Sequence, residues 1–406
     1  MSKLSNALIL LLIAYELSIN GYTYLSRFSF IKKANLDYGN EEVVKYIKSI
    51  DNDAFYRIED DTSRTDNYPL LNNYYGVDYF MSTIKKDTFN FLTSLDVVNH
   101  GYTKNTISYD GSNTLVSTLL GIKYHVETSK RDIKNYDKVY EIDGKEIYEN
   151  KYALSVGFMA NEKILDYKNN TKDGLDNINQ IYYYASNNKP VLKEIKLTPY
   201  GDGYTFNNKE TSDIYVLAKF KKWYTYDGFH LYVDGKSQKD DNRNYMYHIN
   251  NTFDKGEINF SYFVQDYDKQ DFLGIHPYYF DKKAFEEDVE ILKKNQLNVD
   301  KVSKNTIKGT IDVDNNNILF TSIPYDKDLH IYVDGKEAKP IKLLGTFIGT
   351  KLDSGHHDIV IKYKPYTLYK AIVPSVCCIG LMALYLNFNT IKKRLFKTNK
   401  PKKKKA

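Results

Sequence analysis

Between Ala371 and Phe388 no residue is charged, and this run within Leu368–Phe388 (LYKAIVPSVCCIGLMALYLNF) constrains the chain more than any other feature. Coiled as a helix at about 1.5 Å per residue, it approaches the thickness of a hydrocarbon core. A helix can cross there because its backbone groups bond internally. Lys370 sits where its stem can reach headgroups, and Pro374 and Gly380 are better tolerated in such a helix than in a soluble one. The segment 389–406 follows at once, with Lys392, Lys393, Arg394, Lys397, Lys400 and Lys402 to Lys405 and no acid. That block argues against a buried core helix, and the positive-inside rule puts the tail in the cytoplasm.

A second apolar run, Leu4–Ile19, follows Lys3 within the segment 4–24. Two readings compete: a cleaved signal peptide, or a retained transmembrane helix with Glu16 and Asn20 near the outer interface. The absence of an A-x-A-like site favours retention. Either way, the expectation is a cell-membrane protein whose bulk, about residues 25–365, is extracytoplasmic; with the first helix retained it passes the bilayer twice.

Charge and cysteine usage narrow the exported part. The chain carries a net +5, but nine cations lie in the tail, so the remainder is net acidic. A nucleic-acid-binding face is therefore not expected, whereas the tail suits anionic lipids of the bilayer. Both cysteines, Cys377 and Cys378, lie in the apolar helix, so no disulfide is available outside. Lys, Asn and Tyr abundance with few cysteines is associated with Gram-positive bacteria of low GC content. Tyrosine is abundant, 39 residues against one Trp. Aromatic sugar platforms are one reading; coding bias with β-sheet preference is the simpler one.

The pattern in between is mixed. Asn40–Ile50, Asp87–Leu95, Asn113–Leu120, Leu175–Ala185 and Asp281–Asn295 have helical spacing. Val139–Tyr152 reads as a hairpin turning at Asp143-Gly144. From Val191 a period of two dominates. LYVDGK at Leu231–Lys236 returns as IYVDGK at Ile331–Lys336, each followed by a second glycine turn (Lys255-Gly256; Ser354-Gly355) and a strand. Two copies of one antiparallel unit are expected. The fold class is α+β: an extracytoplasmic α+β domain at 30–190, a β unit at 191–270, a connecting helix at 278–298 and a second, related β-sandwich-like unit at 300–365, flanked by helices at 4–24 and 368–388.

Sites of known chemistry are scarce. Asp312–Asn316 opens like a calcium loop, but Asn317 replaces the required Gly and Ile323 the bidentate Glu, so a hairpin turn is expected. The adjacent His356 and His357 point apart in a strand, so no metal site is expected there. No nucleophile elbow, zincin helix or phosphate loop occurs. The densest polar stretch, Phe55–Thr83, holds Tyr56, Arg57, Glu59, Asp60, Asp61, Arg64, Asp66 and Asn67. Arginine forks could hold a phosphate-bearing ligand and paired carboxylates could serve a glycosidic bond; the alternative is a solvated loop paired with itself.

This stretch, YRIEDDTSRTDNYPLLNNYYGVDYFMST, resembles the signature of the YfhO-like bacterial membrane proteins, on Tyr56, Arg57, Arg64, Tyr74, Gly76, Ser82 and Thr83. LLGIKY (Leu119–Tyr124), YENKYALSVGF (Tyr148–Phe158, with Ser155 where the family has Pro) and the terminal β unit, on Asp334, Gly335, Gly345, Phe347, Gly349, Gly355, His356, Tyr363 and Pro365, extend the resemblance. The family is similar to GT-C glycosyltransferases that glycosylate lipoteichoic acid or related envelope polymers. The resemblance places this chain after the multi-helix half that carries the catalytic acid, so it implies no catalytic residue, cofactor or metal here. It implies an accessory or split part of such a system, partnered by the bilayer, a separately encoded polytopic half and an anionic glycopolymer, with Tyr56, Arg57, Asp61, Arg64, Asn67, Tyr74 and Ser82 lining a groove. The alternative is a non-catalytic surface protein that binds cell-wall glycan.

Overall fold

The computed structural model describes residues 3–27, 40–62, 65–98, 105–109, 113–128, 133–169, 173–221, 229–238, 245–264, 271–314 and 317–397. The chain divides into two compact units, residues 1–52 and 53–406.

The first unit holds α1 (Lys3–Leu25) and α2 (Asn40–Ile50). The apolar side chains of α1, among them Leu8, Leu11 and Leu12, are exposed along its length, as suits a helix solvated by lipid. Its Ser18 hydroxyl donates to the carbonyl of Ala14 at 2.7 Å, which removes a free polar group from the apolar surface. Helix α2 is a different object: Glu41 and Glu42 favour its N-terminus electrostatically, and one face, Val43, Val44 and Ile47, is buried.

The second unit begins with a mixed sheet of order β1-β4-β6-β5. Its first strand, β1 (Arg57–Asp60), is followed by α3 (Tyr68–Asn72), β2 (Tyr79–Phe80), α4 (Lys86–Ser94), β3 (Thr106–Ile107) and α5 (Thr114–Leu119). Strand β4 (Ile122–Glu127) then pairs parallel with β1, so the intervening segment is the crossover that parallel pairing requires. Asn113 caps α5 by accepting from the Val116 amide, and Gly121 ends it at φ +68°. β5 (Asp137–Ile142) and β6 (Lys145–Glu149) form the hairpin expected from Asp143-Gly144, with φ of +50° and +74° at the turn.

Next come β7 (Gly157–Ala160), a 3-10 turn at Glu162–Asp166 and α6 (Gly174–Ser186), capped by Asp173. The first sandwich uses β8 (Leu192–Glu194), β9 (Thr198–Tyr200), β10 (Gly203–Asn208), β11 (Ile214–Phe220), β12 (Phe229–Val233), β13 (Lys236–Ser237), β14 (Met246–Ile249), β15 (Gly256–Val264) and β16 (Phe272–Phe280). One sheet runs β13-β12-β15-β10-β9 and the other β14-β11-β16-β8. Between them lies a core rich in aromatic rings, including Phe220, Phe229, Tyr245 and Phe260.

After α7 (Lys282–Lys294), the second sandwich uses β17 (Asn298–Ser303), β18 (Thr306–Val313), β19 (Ile318–Pro324), β20 (Leu329–Val333), β21 (Lys336–Ala338), β22 (Ile341–Leu343), β23 (Phe347–Lys351) and β24 (Gly355–Tyr363). Its first sheet, β17-β18-β24-β20-β21, has the same order and connections as β9-β10-β15-β12-β13. The repeat seen in LYVDGK and IYVDGK is therefore one of topology. Asp234-Gly235 and Asp334-Gly335 occupy equivalent hairpins, with φ of +45° and +74° in one and +51° and +78° in the other. Each aspartate receives a backbone amide from the neighbouring long strand: Asn259 N at 2.8 Å and Asp358 N at 2.9 Å.

The second sheets differ. In the first copy β11 is flanked by β14 and β16; in the second, β19 is flanked by β23 and by β7, which comes from before the first sandwich. The chain thus closes the last sandwich with an earlier strand. Strand β16 pairs with β11 through Phe272, so the sheets of the first sandwich extend to Phe280. Between the two sandwiches α4, α5, α6 and α7 share one core, in which Phe285 and Leu292 of α7 meet Leu175 and Ile181 of α6, Phe280 of β16 and Phe320 of β19. Helix α8 (Tyr366–Lys397) closes the described chain; its apolar residues from Leu368 to Phe388 are exposed, and Ser375 and Asn387 donate back to Ala371 and Ala383 carbonyls. The α+β class, the two related sandwiches and two terminal helices apolar enough to cross a membrane all accord with the expectation.

Candidate functional site

Tyr56 and Arg57, neighbours in sequence, line different cavities. Arg57 stands at the start of β1, where its guanidinium donates to the Ser322 hydroxyl at 2.7 Å, to the Ser322 carbonyl at 3.0 Å and to the Leu120 carbonyl. It also lies 5.2 Å from the centre of the Phe55 ring. Burial pulls its pKa down to about 10, still charged at neutral pH. These bonds tie β1 to β19 of the second sandwich, so the fork that sequence reasoning assigned to a ligand is engaged within the protein.

The other residues of the expected groove scatter. Arg64 lies outside the described residues. Asn67 accepts the Phe80 amide at 2.9 Å and so shapes the loop after α3. Burial, aided by Asp60 and Asp78, raises the Tyr74 hydroxyl. Asp61 sits at the end of β1 beside His125, and Ser82 lies in an exposed turn. His356 and His357, expected near a turn, begin β24 and point apart as anticipated, each to its own carboxylate: Asp312 and Asp334, both at 2.8 Å.

Tyr56 lines a cleft of about 540 Å³ with Lys123, Asn150, Lys151, Lys293, Gln296 and Asn298. Lys123 Nζ lies 5.8 Å from the Tyr56 ring centre and pairs with Asp53 at 2.8 Å. Lys293 donates to the Lys151 carbonyl at 2.5 Å. Its pKa is lowered, first by burial and then by the charge of Lys123, with Glu149 acting in the opposite direction. A second cavity of about 400 Å³, lined by Arg57, Val77, Tyr79, Met81, Leu92 and Phe347 among others, is mainly apolar.

A further cluster escaped sequence reasoning. Parallel pairing sets Glu59 of β1 opposite His125 of β4, and the period of two puts Asp61 and Glu127 on the same face. Glu59, His125 and Glu127 are buried. Burial alone would lower the imidazole pKa; Glu127, Glu59 and Asp61 outweigh it and raise the pKa well above the ordinary value. Burial also drives nearby Asp78 well above the carboxylate range, with Glu59 adding to the effect, although Asp78 accepts the Tyr109 amide at 2.6 Å. The H-V-E alternation of β4 was a signal for half of this cluster; the other half exists only through the pairing of β1 with β4.

The sequence profile of the family described as "Bacterial membrane protein YfhO" matches residues 1–375. The chain belongs to the YfhO family. That match covers both cavities, the cluster and the apolar N-terminal helix of this YfhO chain. No curated protein matches it. Among solved structures, a conserved protein of unknown function from Pseudomonas aeruginosa PAO1 aligns over 43% of this chain and 85% of its own length, at 8% identity and a TM-score of 0.15.

Proposed function

We propose that this YfhO chain works outside the cytoplasmic membrane as the acceptor-holding part of a GT-C-like system that glycosylates an anionic envelope polymer, such as lipoteichoic acid. Its partner in this reading is a polytopic glycosyltransferase part. The observation that carries the proposal is the cleft that Tyr56 lines together with Lys123, Lys151 and Lys293, in which the carboxylates Asp53 and Glu149 are outnumbered. A polymer of sugar and phosphate needs cations for its phosphodiesters and a flat amphipathic ring for its sugars, and the cleft supplies both. Burial also lowers the Lys293 pKa, so an anionic ligand in the cleft would favour its charged form. The proposed contacts therefore centre on Tyr56 rather than on the internally bonded Arg57. The family match and the two apolar helices support a membrane setting.

The test is a Lys123→Gln, Lys293→Gln double variant and, separately, Tyr56→Ala, produced in cells that contain the polytopic part. Mass spectrometry of purified envelope polymer should show sugar substitution reduced about tenfold or more, the scale expected when a desolvated charge contact is lost. The melting temperature should stay close to that of the parent. Full substitution in both variants would overturn the reading. Copurification with the polytopic part in detergent separates it from a surface protein that binds wall glycan alone.

A further inference from the structure

We propose that His125, Asp61 and Glu127 form a binding site for a divalent transition cation of the zinc or manganese type, with Glu59 as the carboxylate that orients the histidine. The side chain of His125 is completely buried, yet neither ring nitrogen makes a hydrogen bond. Without a cation the three carboxylates at 3.5–3.9 Å compensate a protonated ring, and a divalent ion would take the place of the Nε2 proton among them. The surroundings of the ring are arranged around it in an ordered way. Nε2 faces Asp61 Oδ2 at 3.7 Å and Glu127 Oε2 at 3.9 Å, while Nδ1 faces Glu59 Oε2 at 3.5 Å.

These separations are too long for hydrogen bonds and suit atoms that share an ion. Ligands held about 2.0–2.2 Å from a tetrahedral metal lie about 3.4 Å apart. The nitrogen lies within about half an ångström of ligand spacing from each oxygen, and all three atoms fall within 4.8 Å of one another, so side-chain adjustments of up to about 1.4 Å would close them on a cation. Nδ1 would then carry the proton and donate to Glu59, the carboxylate–histidine–metal relation that fixes tautomer and ring orientation. One nitrogen with two carboxylate oxygens favours zinc or manganese over calcium or magnesium, which prefer oxygen alone. The Asp61 side chain is 21% exposed, so the site has an entry from solvent and room for water. Tyr136, its ring 6.2 Å from that of His125, packs in one small buried cluster with Ile133 and Tyr148.

The experiment uses the full chain in detergent, with Cys377→Ser and Cys378→Ser to remove thiol ligands. After chelator treatment and dialysis, calorimetric titration with zinc chloride or manganese chloride should show one site per chain, with calcium and magnesium chloride at least tenfold weaker. Asp61→Asn, chosen because Asp61 is partly exposed, should weaken binding about 100-fold without changing the circular dichroism spectrum, and His125→Gln should abolish it. Glu59→Gln should weaken it about 10- to 100-fold, the range for an orienting carboxylate. Absence of zinc and manganese binding to the parent, or equal affinity in the folded Asp61→Asn variant, would overturn the proposal.

Discussion

At the scale of the residue, Arg57 shows how far an environment redefines a side chain. Arg57 resembles a ligand fork, yet its donors end on Ser322 and Leu120. Arg57→Gln should therefore cost about 2–3 kcal/mol, because carbonyls buried against the guanidinium lose their partner. A urea titration monitored by circular dichroism measures this, and an unchanged midpoint would contradict the assignment. His357 offers a test of pH dependence. Its pKa is raised mainly by the Asp334 carboxylate, and that of Asp334 is lowered mainly by His357. The pair is therefore stabilising only between the two values: it fades as pH rises through the raised histidine pKa, above 6.5, and again as pH falls through the lowered aspartate pKa, below 3.8. NMR titration of the His357 ring should give a value above the ordinary one, and Asp334→Asn should return it towards 6.5.

At the scale of the element, the equivalent hairpins β12–β13 and β20–β21 make matched predictions. Gly235 and Gly335 have φ of +74° and +78°, and a Cβ at either would meet nothing within 4 Å. Any penalty is then purely one of backbone conformation. Gly235→Val and Gly335→Val should each cost about 1–2 kcal/mol or somewhat more for a branched side chain, and by similar amounts. Thermal melts that differ widely between the two would mean that the hairpins are not equivalent. Strand β7 makes a second prediction. Because β19 pairs with β7 from Ile318 to Thr321, a fragment covering residues 298–365 lacks that strand and exposes a sheet edge. It should be unstable or aggregate alone, and a peptide of residues 153–162 added in trans should raise its melting temperature.

At the scale of the whole molecule, the basic segment after Phe388 predicts orientation. A Ser237→Cys variant, with Cys377 and Cys378 replaced, presents its thiol at an exposed hairpin. An impermeant maleimide should label it in intact cells; protection until lysis would place this hairpin inside and invert the proposed topology. The tyrosine excess also resolves at this scale. Tyr68, Tyr109, Tyr182, Tyr215, Tyr247 and Tyr278 are buried almost completely, so much of it fills cores rather than forming a sugar platform. Tyr56, which lines the lysine-bearing cleft, is the tyrosine on which the proposed function rests.

What the sequence determined by itself were the properties that depend on neighbours along the chain. The apolar runs, the helix over Asn40–Ile50, the capped start at Asn113 and the Asp-Gly turns follow from local hydropathy, periodicity and positive-φ preference, which act within a few residues. The ordered family motifs were legible for the same reason. Only the tertiary structure decided what depends on distant partners. It closed the second sandwich with β7, directed Arg57 to Ser322 far along the chain, joined Tyr56 to Lys293 across a cleft and brought Glu59 beside His125. Such contacts arise from burial and strand register, which a linear pattern does not encode: a strand's alternation shows which residues share a face, but not which strand will lie against it.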